Sequence, residues 1–194
     1  MSDPSIETRI PQAAAPCFAP FLESGRLYLR AVTPADVTDD YYHWMNDPEI
    51  TQYLESRFYP QTKEGIEAFV MSMQGSRDNV FLAMVLKEGD RHIGNIKLGP
   101  INWLHRLGEI GLMIGDKNAW GKGYATEAIR LISDYAFQRL NLRKVTAGCY
   151  GNNEGSSRAF QRAGFQIEGL RPQHFFCNGH YVDFILLGKL NPNV

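Results

Sequence analysis

The spacing of hydrophobic and polar positions along the chain predicts a protein built on a β-sheet. Apolar residues alternate with polar ones, or run unbroken as at residues 81–86, over stretches short enough for strands. Seven strands are predicted, at residues 27–31, 80–86, 93–98, 108–114, 145–149, 165–170 and 182–188. The turn-like sequence Glu88-Gly89-Asp90 lies between the second and the third of them, which predicts a hairpin.

Four helices are predicted between these strands. Thr and Asn cap helix N-termini and mark three of the starts, and Gly, which suits the left-handed end position, marks an end. After Gly121 the apolar period changes from two to about 3.6 residues, as in an amphipathic helix. The first predicted helix runs from Thr33-Pro34 to Asn46-Asp47-Pro48, and the second from after Thr62 to near Gly75. The third begins after Gly121, and the fourth runs from Asn153 to Gly164.

The order of these elements predicts the fold class. Runs of adjacent strands imply antiparallel pairing, whereas strand–helix–strand passages imply some parallel pairing. We therefore predict an α/β (α+β) fold, with a mixed, mostly antiparallel central sheet of about seven strands and helices on both faces. The chain has 194 residues, and no repeat or linker divides it. We expect a flexible N-terminal arm at residues 1–24 and a single domain at residues 25–194.

Charge and cysteine content narrow the class of protein. The 20 Lys and Arg residues against 21 Asp and Glu give a formal net charge of -1, without the basic excess of proteins that bind nucleic acid through phosphates. No apolar run is long enough to span a membrane. Cys17, Cys149 and Cys177 include no CxxC pair, which argues against a zinc site and fits a reducing compartment. Asp3 and Glu7 lie where an export signal would be basic, so we expect a cytoplasmic location.

Two glycines flank Lys122 just before the predicted long helix, in the sequence Trp120-Gly121-Lys122-Gly123-Tyr124. They allow the backbone to turn with its N–H groups directed inward, and the helix N-terminus adds unpaired donors and a partial positive charge. Together these features predict a site for a phosphate or pyrophosphate, with a purely structural turn as the alternative. The segment lacks the third glycine of the dinucleotide fingerprint and the Gly-Lys-Ser/Thr end of the P-loop.

Several short motifs follow one another along the chain. They are Ile93-Gly94-Asn95-Ile96, Glu109-Ile110-Gly111-Leu112, the segment 120–128, Asn153 with Ser156, Ala163-Gly164-Phe165, Glu168-Gly169 and Gly179-His180-Tyr181-Val182-Asp183. Their order and spacing resemble the GNAT acetyltransferase superfamily, more narrowly its RimJ/RimL-like branch, over residues 26–190. The resemblance implies a GNAT-like sheet, acetyl-CoA as the co-substrate without a metal, and transfer of an acetyl group to an amine.

The same resemblance implies where acetyl-CoA binds. Its pyrophosphate would lie on the turn around Gly121, and its pantetheine arm in a gap beside the strand of Glu109. An inward N–H near Met113 would stabilise negative charge on the thioester oxygen, as an oxyanion hole does. Asn153 matches a family asparagine near the arm, although Asn is also a common N-cap. The implied cofactor-binding residues are Leu112, Met113, Ile114, Trp120, Gly121, Lys122, Gly123, Tyr124, Ala125 and Asn153.

Two residues are candidates for proton transfer. An amine must lose its proton before it attacks, and Glu109 matches the family's strand carboxylate, which would accept it as a general base. A solvated strand-end residue is the alternative for Glu109. Many superfamily members carry a tyrosine in the short helix, but Phe160 stands nearest to that position here. Ser156 matches a serine of the RimJ/RimL-like branch and is the candidate acid, with helix capping as its alternative role.

Acceptor recognition falls, by the same resemblance, to the first two helices, the loop between them and the late hairpin. The candidate substrate-binding residues there are Trp44, Arg57, Tyr59 and His174. Arg57 lies among aromatic residues in a loop, where it would bind a phosphate or carboxylate in a bidentate manner or be a solvated surface arginine. Trp44 and His174 have packing as their alternative role.

The leading hypothesis is an acetyl-CoA-dependent N-acetyltransferase that works by direct amine attack in a ternary complex. No cysteine lies beside a histidine as an activated nucleophile would, which argues against an acyl-enzyme. The acceptor would be a small-molecule or peptide amine: an amino-sugar nucleotide, a protein N-terminus or a polyamine. The segment 44–50 is similar to enzymes that acetylate nucleotide-linked amino sugars. The alternatives are a non-catalytic acyl-CoA-binding or regulatory module and an O-acetyltransferase, and the edge strands leave room for a homodimer.

Overall fold

The computed structural model describes residues 19–193 of the chain; residues 1–18, most of the predicted arm, and residue 194 lie outside them. The described strands are β1 Leu22–Glu23, β2 Leu27–Ala31, β3 Val80–Leu86, β4 Arg91–Asn102, β5 Leu107–Ile114, β6 Lys144–Tyr150, β7 Gln166–Cys177 and β8 His180–Leu190. The α-helices are α1 Asp39–Asn46, α2 Pro48–Thr51, α3 Lys63–Met73, α4 Tyr124–Gln138 and α5 Glu154–Arg162. Short 3-10 turns lie at Pro34–Asp36, Glu55–Phe58, Glu88–Asp90 and Lys117–Ala119.

All of these strands belong to one sheet, in the order β1-β2-β3-β4-β5-β6-β8-β7. Neighbours pair antiparallel except β5 and β6, which are parallel and are joined through α4. The predicted mixed, mostly antiparallel sheet is confirmed, with eight strands where about seven were expected. The additional strand is β1, which lies in the expected arm and pairs Leu22 with Leu29. Two residues are too few for an alternating pattern, so the sequence carried no signal for it.

Most helix starts agree with their predicted caps. The Thr62 hydroxyl accepts a hydrogen bond from the Gly65 N–H at the start of α3 (3.0 Å), and Asn153 Oδ1 accepts one from the Ser156 N–H at the start of α5 (3.1 Å). Because Thr and Asn oxygens replace the missing intrahelical acceptors, these local signals were sufficient.

The predicted start of the first helix is wrong. Thr33-Pro34 opens a 3-10 turn, and α1 begins only after Thr38, whose side chain caps it. The Asp36 carboxylate binds the Arg30 guanidinium through both oxygens (2.6 and 2.8 Å) and accepts the Thr33 N–H (2.7 Å). These contacts tie the turn to β2, so the chain has to restart as a second helix.

Two apolar cores cover the two faces of the sheet. Alternate residues of β3 separate them: Leu82 and Met84 belong to the core beneath α4 and α5, whereas Ala83 and Val85 belong to the core beneath α1 and α3. The period-two alternation of a strand produces this division. Helices on both faces of the sheet are thereby confirmed.

A polar cluster lies between α1 and the sheet. His92 Nε2 lies 3.0 Å from Asn95 Oδ1, and the His92 ring packs edge-on against Tyr41 and Trp44. Burial lowers the pKa of His92, although its contact with Asn95 and the charge of Asp36 oppose this. Burial also raises the pKa of Tyr41 to about 12. The residues beneath α1 are therefore held in one arrangement, and α1 carries a wall of the site described next.

Candidate active site

The parallel strands β5 and β6 separate in the middle of the sheet. Their pairing runs through three positions, from Leu107 with Lys144 to Glu109 with Thr146, and then stops. Beyond that point β5 continues along β4 to Ile114, and β6 continues along β8 to Tyr150. The sheet therefore contains a wedge-shaped gap that narrows at Glu109. Among the described residues, no strand pairs with the backbone groups of residues 110–114 that face the gap. An amide-containing chain that lies along β5 could form hydrogen bonds with these groups.

Side chains of β5 point away from this gap to either face. Ile110, Leu112 and Ile114 belong to the core beneath α4, and Met113 packs in the core beneath α1 and α3. The predicted cofactor contacts at Leu112, Met113 and Ile114 would therefore be backbone contacts. Glu109 shares the face of Met113, because the two are four residues apart along a strand. Its side chain is exposed and makes no hydrogen bond or ion pair with any described residue.

A turn of backbone donors lies where β5 leads into α4. Gly121 and Gly123 have φ of 72° and 82°, a region that favours glycine, and Gly123 is the N-cap of α4 without any capping side chain. The first-turn N–H groups of this 15-residue helix are thus uncapped and available to an anion. Trp120 Nε1 donates to the Ile114 carbonyl (2.9 Å) and holds the turn against the end of β5.

Arg26 also lies at this turn, and sequence reasoning missed it. Its Nη1 donates to the Lys122 carbonyl (2.9 Å), its Nη2 pairs with Glu127 (2.6 Å) and its guanidinium lies 4.6 Å from the Tyr124 ring centroid. Because Glu127 neutralises its charge, Arg26 fixes the turn and the start of α4 in place without adding a net charge there. Arg26 lies 96 residues from Lys122 in the chain. Nothing in the local sequence could have brought the two together.

The start of α5 lies at the open end of the gap. The Asn153 N–H donates to the Tyr150 carbonyl (2.8 Å) at the end of β6, so Asn153 is placed beside the opening. Its Oδ1 caps α5, which establishes the capping role, and its contact with the cofactor arm stays a prediction. Ser156, in the first turn of α5, is half-buried. Phe160 is 2% exposed and packs edge-on against Phe165, so it lies in the core and offers no acid group.

A cavity of about 500 Å³ lies between the segment from α1 to the 3-10 turn at Glu55–Phe58 and the tip of the β7–β8 hairpin. It lies beside the open end of the gap, because its lining residue Arg57 contacts Tyr150 at the end of β6. Two of the four predicted substrate-binding residues, Arg57 and Tyr59, line it. The Tyr59 side chain is 75% exposed, so its ring is free to contact a ligand. These are the segments that the sequence assigned to acceptor recognition.

Trp44 and His174 do not line this cavity, and the structure gives both a packing role. A Cβ atom on Gly115 would come within 2.0 Å of the Trp44 indole, so Trp44 lies directly on the backbone at the end of β5. His174 stacks on Phe184, with ring centroids 5.4 Å apart. Trp44 is half-buried and His174 is exposed, so their predicted substrate contacts stay predictions beside these packing contacts.

Arg57 joins the two walls of the cavity. Its Nη1 donates to the Leu54 carbonyl and to the Tyr150 hydroxyl, and its Nη2 donates to the Phe176 carbonyl, all at 2.8 Å. Protein oxygens thus take three of the five N–H donors of Arg57, and the predicted bidentate contact with an acceptor anion, which would have to use the other two, stays a prediction. Tyr150, which the sequence did not single out, donates to Glu55 Oε1 (2.5 Å). Burial, followed by this carboxylate, raises the pKa of Tyr150.

The two described cysteines are buried, and the described residues form no cluster of metal-ligating side chains. Cys149 and Cys177 are buried free thiols, and burial raises the pKa of Cys149 to about 11, which suppresses the nucleophilic thiolate. Cys17 lies outside the described residues. Within residues 19–193, no group of three or more His, Cys, Asp or Glu side chains could hold a metal ion. None of the helices described here has the length and hydropathy of a membrane span.

Comparison with known proteins assigns the family. The acetyltransferase (GNAT) domain matches residues 26–166. The chain is 32% identical over 176 residues to the uncharacterized N-acetyltransferase YoaA of Bacillus subtilis, covering 89% of this chain and 98% of that one. It is 29% identical over 173 residues to the uncharacterized N-acetyltransferase p20 of Bacillus licheniformis, covering 87% and 95% of the two chains. The chain therefore belongs to the GNAT acetyltransferase family.

A solved structure supports the same assignment. The spermidine N-acetyltransferase of Vibrio cholerae, in complex with CoA and spermine, superimposes with a TM-score of 0.77 at 26% identity over 85% of this chain and 95% of that chain. The predicted fold, the acyltransferase class and the use of acetyl-CoA are thereby confirmed. The gap between β5 and β6 fits a pantetheine arm, whose amides require backbone hydrogen-bond partners. The uncapped turn before α4 fits a pyrophosphate, which requires N–H donors.

Proposed function

We propose that this N-acetyltransferase moves the acetyl group of acetyl-CoA directly to the primary amine of a small molecule. The observation that supports it most is the end of the β5–β6 ladder at Glu109, which leaves an unpaired carboxylate where the gap narrows. Acetyl-CoA supplies the activated acyl group. The protein supplies backbone partners for it along residues 110–114 and donors at the Gly121–Gly123 turn.

Glu109 is the proposed general base. An amine is protonated at neutral pH, so a carboxylate that takes its proton, directly or through water, increases the fraction able to attack. Glu109 has no competing partner among the described side chains, and it lies on the face of the sheet that carries α1 and the cavity. The proton therefore moves from the amine towards Glu109 while the N–H groups near Met113 face the thioester oxygen.

Ser156 is the proposed proton donor to the departing thiolate. Phe160 cannot serve, and the hydroxyl of Ser156 lies one turn from Asn153 at the open end of the gap. An acyl-enzyme is not part of the proposal, because the buried thiol of Cys149 stays protonated at neutral pH. The step is therefore a direct transfer within one ternary complex.

The acceptor classes expected from the sequence are amino-sugar nucleotides, protein N-termini and polyamines. One relative is named for a polyamine: the spermidine N(1)-acetyltransferase of Vibrio cholerae is 33% identical over 107 residues, or 55% of this chain and 61% of that one. For this chain, the positive charge of Arg57 in the cavity argues against that class. Membership of the RimJ/RimL-like branch, a cytoplasmic location and a homodimer stay predictions from the sequence.

Replacing Glu109 by Gln tests the proposed base. Thiol release from acetyl-CoA should fall by about 100-fold or more in E109Q, the usual contribution of a positioned base, while calorimetric binding of acetyl-CoA stays close to that of the wild type. Glu88→Gln, in the exposed turn between β3 and β4, is the matched control and should keep full activity.

Three outcomes would contradict parts of the proposal. Unchanged kinetics in E109Q would remove Glu109 from the mechanism. Acetyl-CoA binding without thiol release across a panel of amino-sugar nucleotides, peptides, polyamines and aminoglycosides would identify a non-catalytic acyl-CoA-binding module. Turnover with hydroxyl acceptors alone would identify an O-acetyltransferase.

A further inference from the structure

The cavity beside the gap contains a positive charge that the chain itself provides. Among the described residues that line it, none is acidic and Arg57 is the one that carries a full charge. We propose that Arg57 makes this cavity select acceptor amines with a neutral or anionic aromatic body and reject polyamines. The inference rests on the proposed function, since it concerns the acceptor of that same reaction.

Arg57 is fixed in place by protein contacts. Three hydrogen bonds to oxygens of Leu54, Tyr150 and Phe176 hold its two terminal nitrogens. Its guanidinium carbon lies 4.1 Å from the Phe58 ring centroid and 5.0 Å from that of Tyr150. These rings are the groups that would otherwise attract an ammonium ion by cation–π contact. The cation position over Phe58 and Tyr150 is therefore already filled.

The carboxylates close to the cavity do not line it, and each already contacts a hydrogen-bond donor of the protein. Asp47 and Glu49, on either side of the lining residue Pro48, both form ion pairs with Lys117 (2.8 and 2.6 Å). Glu55 accepts the hydrogen bond of the Tyr150 hydroxyl. A second ammonium group on the acceptor would lose hydration and meet a guanidinium, and no carboxylate among the described lining residues would compensate. Both effects oppose binding.

The remaining walls fit a flat apolar ring. Phe58, Tyr59 and Phe176 are 52%, 75% and 47% exposed and line the same cavity. Exposed aromatic side chains grouped around a concave site are typical of ligand contacts, because they bury large area at a small cost in side-chain entropy. A planar body would stack among these rings, and an anionic group on it would be attracted by Arg57.

Three acceptors that differ in one substituent test the charge preference. Para-(aminomethyl)benzoate, para-methylbenzylamine and para-xylylenediamine present the same benzylic amine with an anionic, neutral or cationic group opposite. The measurement is kcat/KM for acetyl transfer in the wild type, with spermidine as a fourth acceptor. We expect the anionic and neutral acceptors to exceed the diamine and spermidine by about tenfold or more, since like charges brought together at a site disfavour binding.

Variants of Arg57 separate its charge from its role in the wall. Arg57→Met removes the charge and should bring the acceptors to nearly equal kcat/KM. Arg57→Lys weakens the same wall contacts but keeps a cation, so it should preserve the order of acceptors. Arg77→Met, an exposed arginine before β3, is the surface control and should behave as the wild type.

The outcomes distinguish this inference from the proposed function. Preference of the wild type for spermidine or the diamine, or an unchanged order of acceptors in Arg57→Met, would overturn the charge selection and leave an N-acetyltransferase. Absence of acetyl transfer to every amine, in a protein that binds acetyl-CoA, would overturn the proposed function and the inference with it.

Discussion

The two sides of the central gap are built in different ways. The cofactor side is one contiguous stretch from β5 to the first turn of α4, and it presents backbone groups because its side chains enter the cores. The acceptor side combines segments that are distant in the chain, and side chains form its walls: Arg57 bridges 119 residues to reach Phe176. Changes of backbone conformation should therefore damage the first side, and changes of single side chains the second.

The largest effect is expected where the acceptor side is anchored beneath α1. Asp36→Ala removes the carboxylate that forms the buried ion pair with Arg30, which should lower the free energy of unfolding by about 3–5 kcal/mol. Urea unfolding at neutral pH measures this loss. Asp39→Ala removes the exposed ion pair between Asp39 of α1 and Lys63 of α3, and it should have a much smaller effect. Equal losses in the two variants would show that the buried pair does not anchor this side.

The next largest effect concerns the backbone of the cofactor side. Gly123 has φ of 82°, and Gly123→Ala should strain or rearrange the turn at a cost of about 1–2 kcal/mol, which weakens acetyl-CoA binding by roughly tenfold. Calorimetric titration with acetyl-CoA checks this. Gly25→Ala is the matched control, because Gly25 has no left-handed φ and a Cβ there meets nothing within 4 Å. Equal affinity in wild type and G123A would contradict a binding site made of backbone.

A smaller effect is expected from the pH dependence of stability. Burial lowers the pKa of His92 in the folded protein, so the unfolded chain takes up this proton first as the pH falls through about 6.5. The folded state is therefore destabilised as the pH falls from about 7 towards 5. The loss begins near pH 7 because the unfolded histidine, with its pKa of about 6.5, starts to bind a proton there. His92→Gln should reduce that slope in urea unfolding, whereas His105→Gln in the exposed β4–β5 turn should retain it. An unchanged slope in H92Q would contradict this assignment.

The same contrast explains what could be predicted from the sequence. β3, the start of α3 after Thr62 and the cap at Asn153 follow from local patterns, and the glycine turn before α4 is a contiguous motif. The start of α1 was not predictable, because Asp36 binds Arg30 on another element. Arg26 at the anion turn and Tyr150 at the acceptor wall likewise depend on contacts 96 and 93 residues apart. The cofactor side, built from contiguous backbone, could thus be predicted from the sequence. Most contacts of the acceptor side, which join distant side chains, could not.

Hydrogen–deuterium exchange with and without CoA tests the central claim most directly, namely that the gap between β5 and β6 binds the cofactor. We expect slower exchange in residues 110–114 and in the first turn of α4 when CoA is added, with little change in residues 52–60 of the acceptor side. Protection confined to the acceptor side, or no protection along β5 under conditions where CoA is bound, would contradict it.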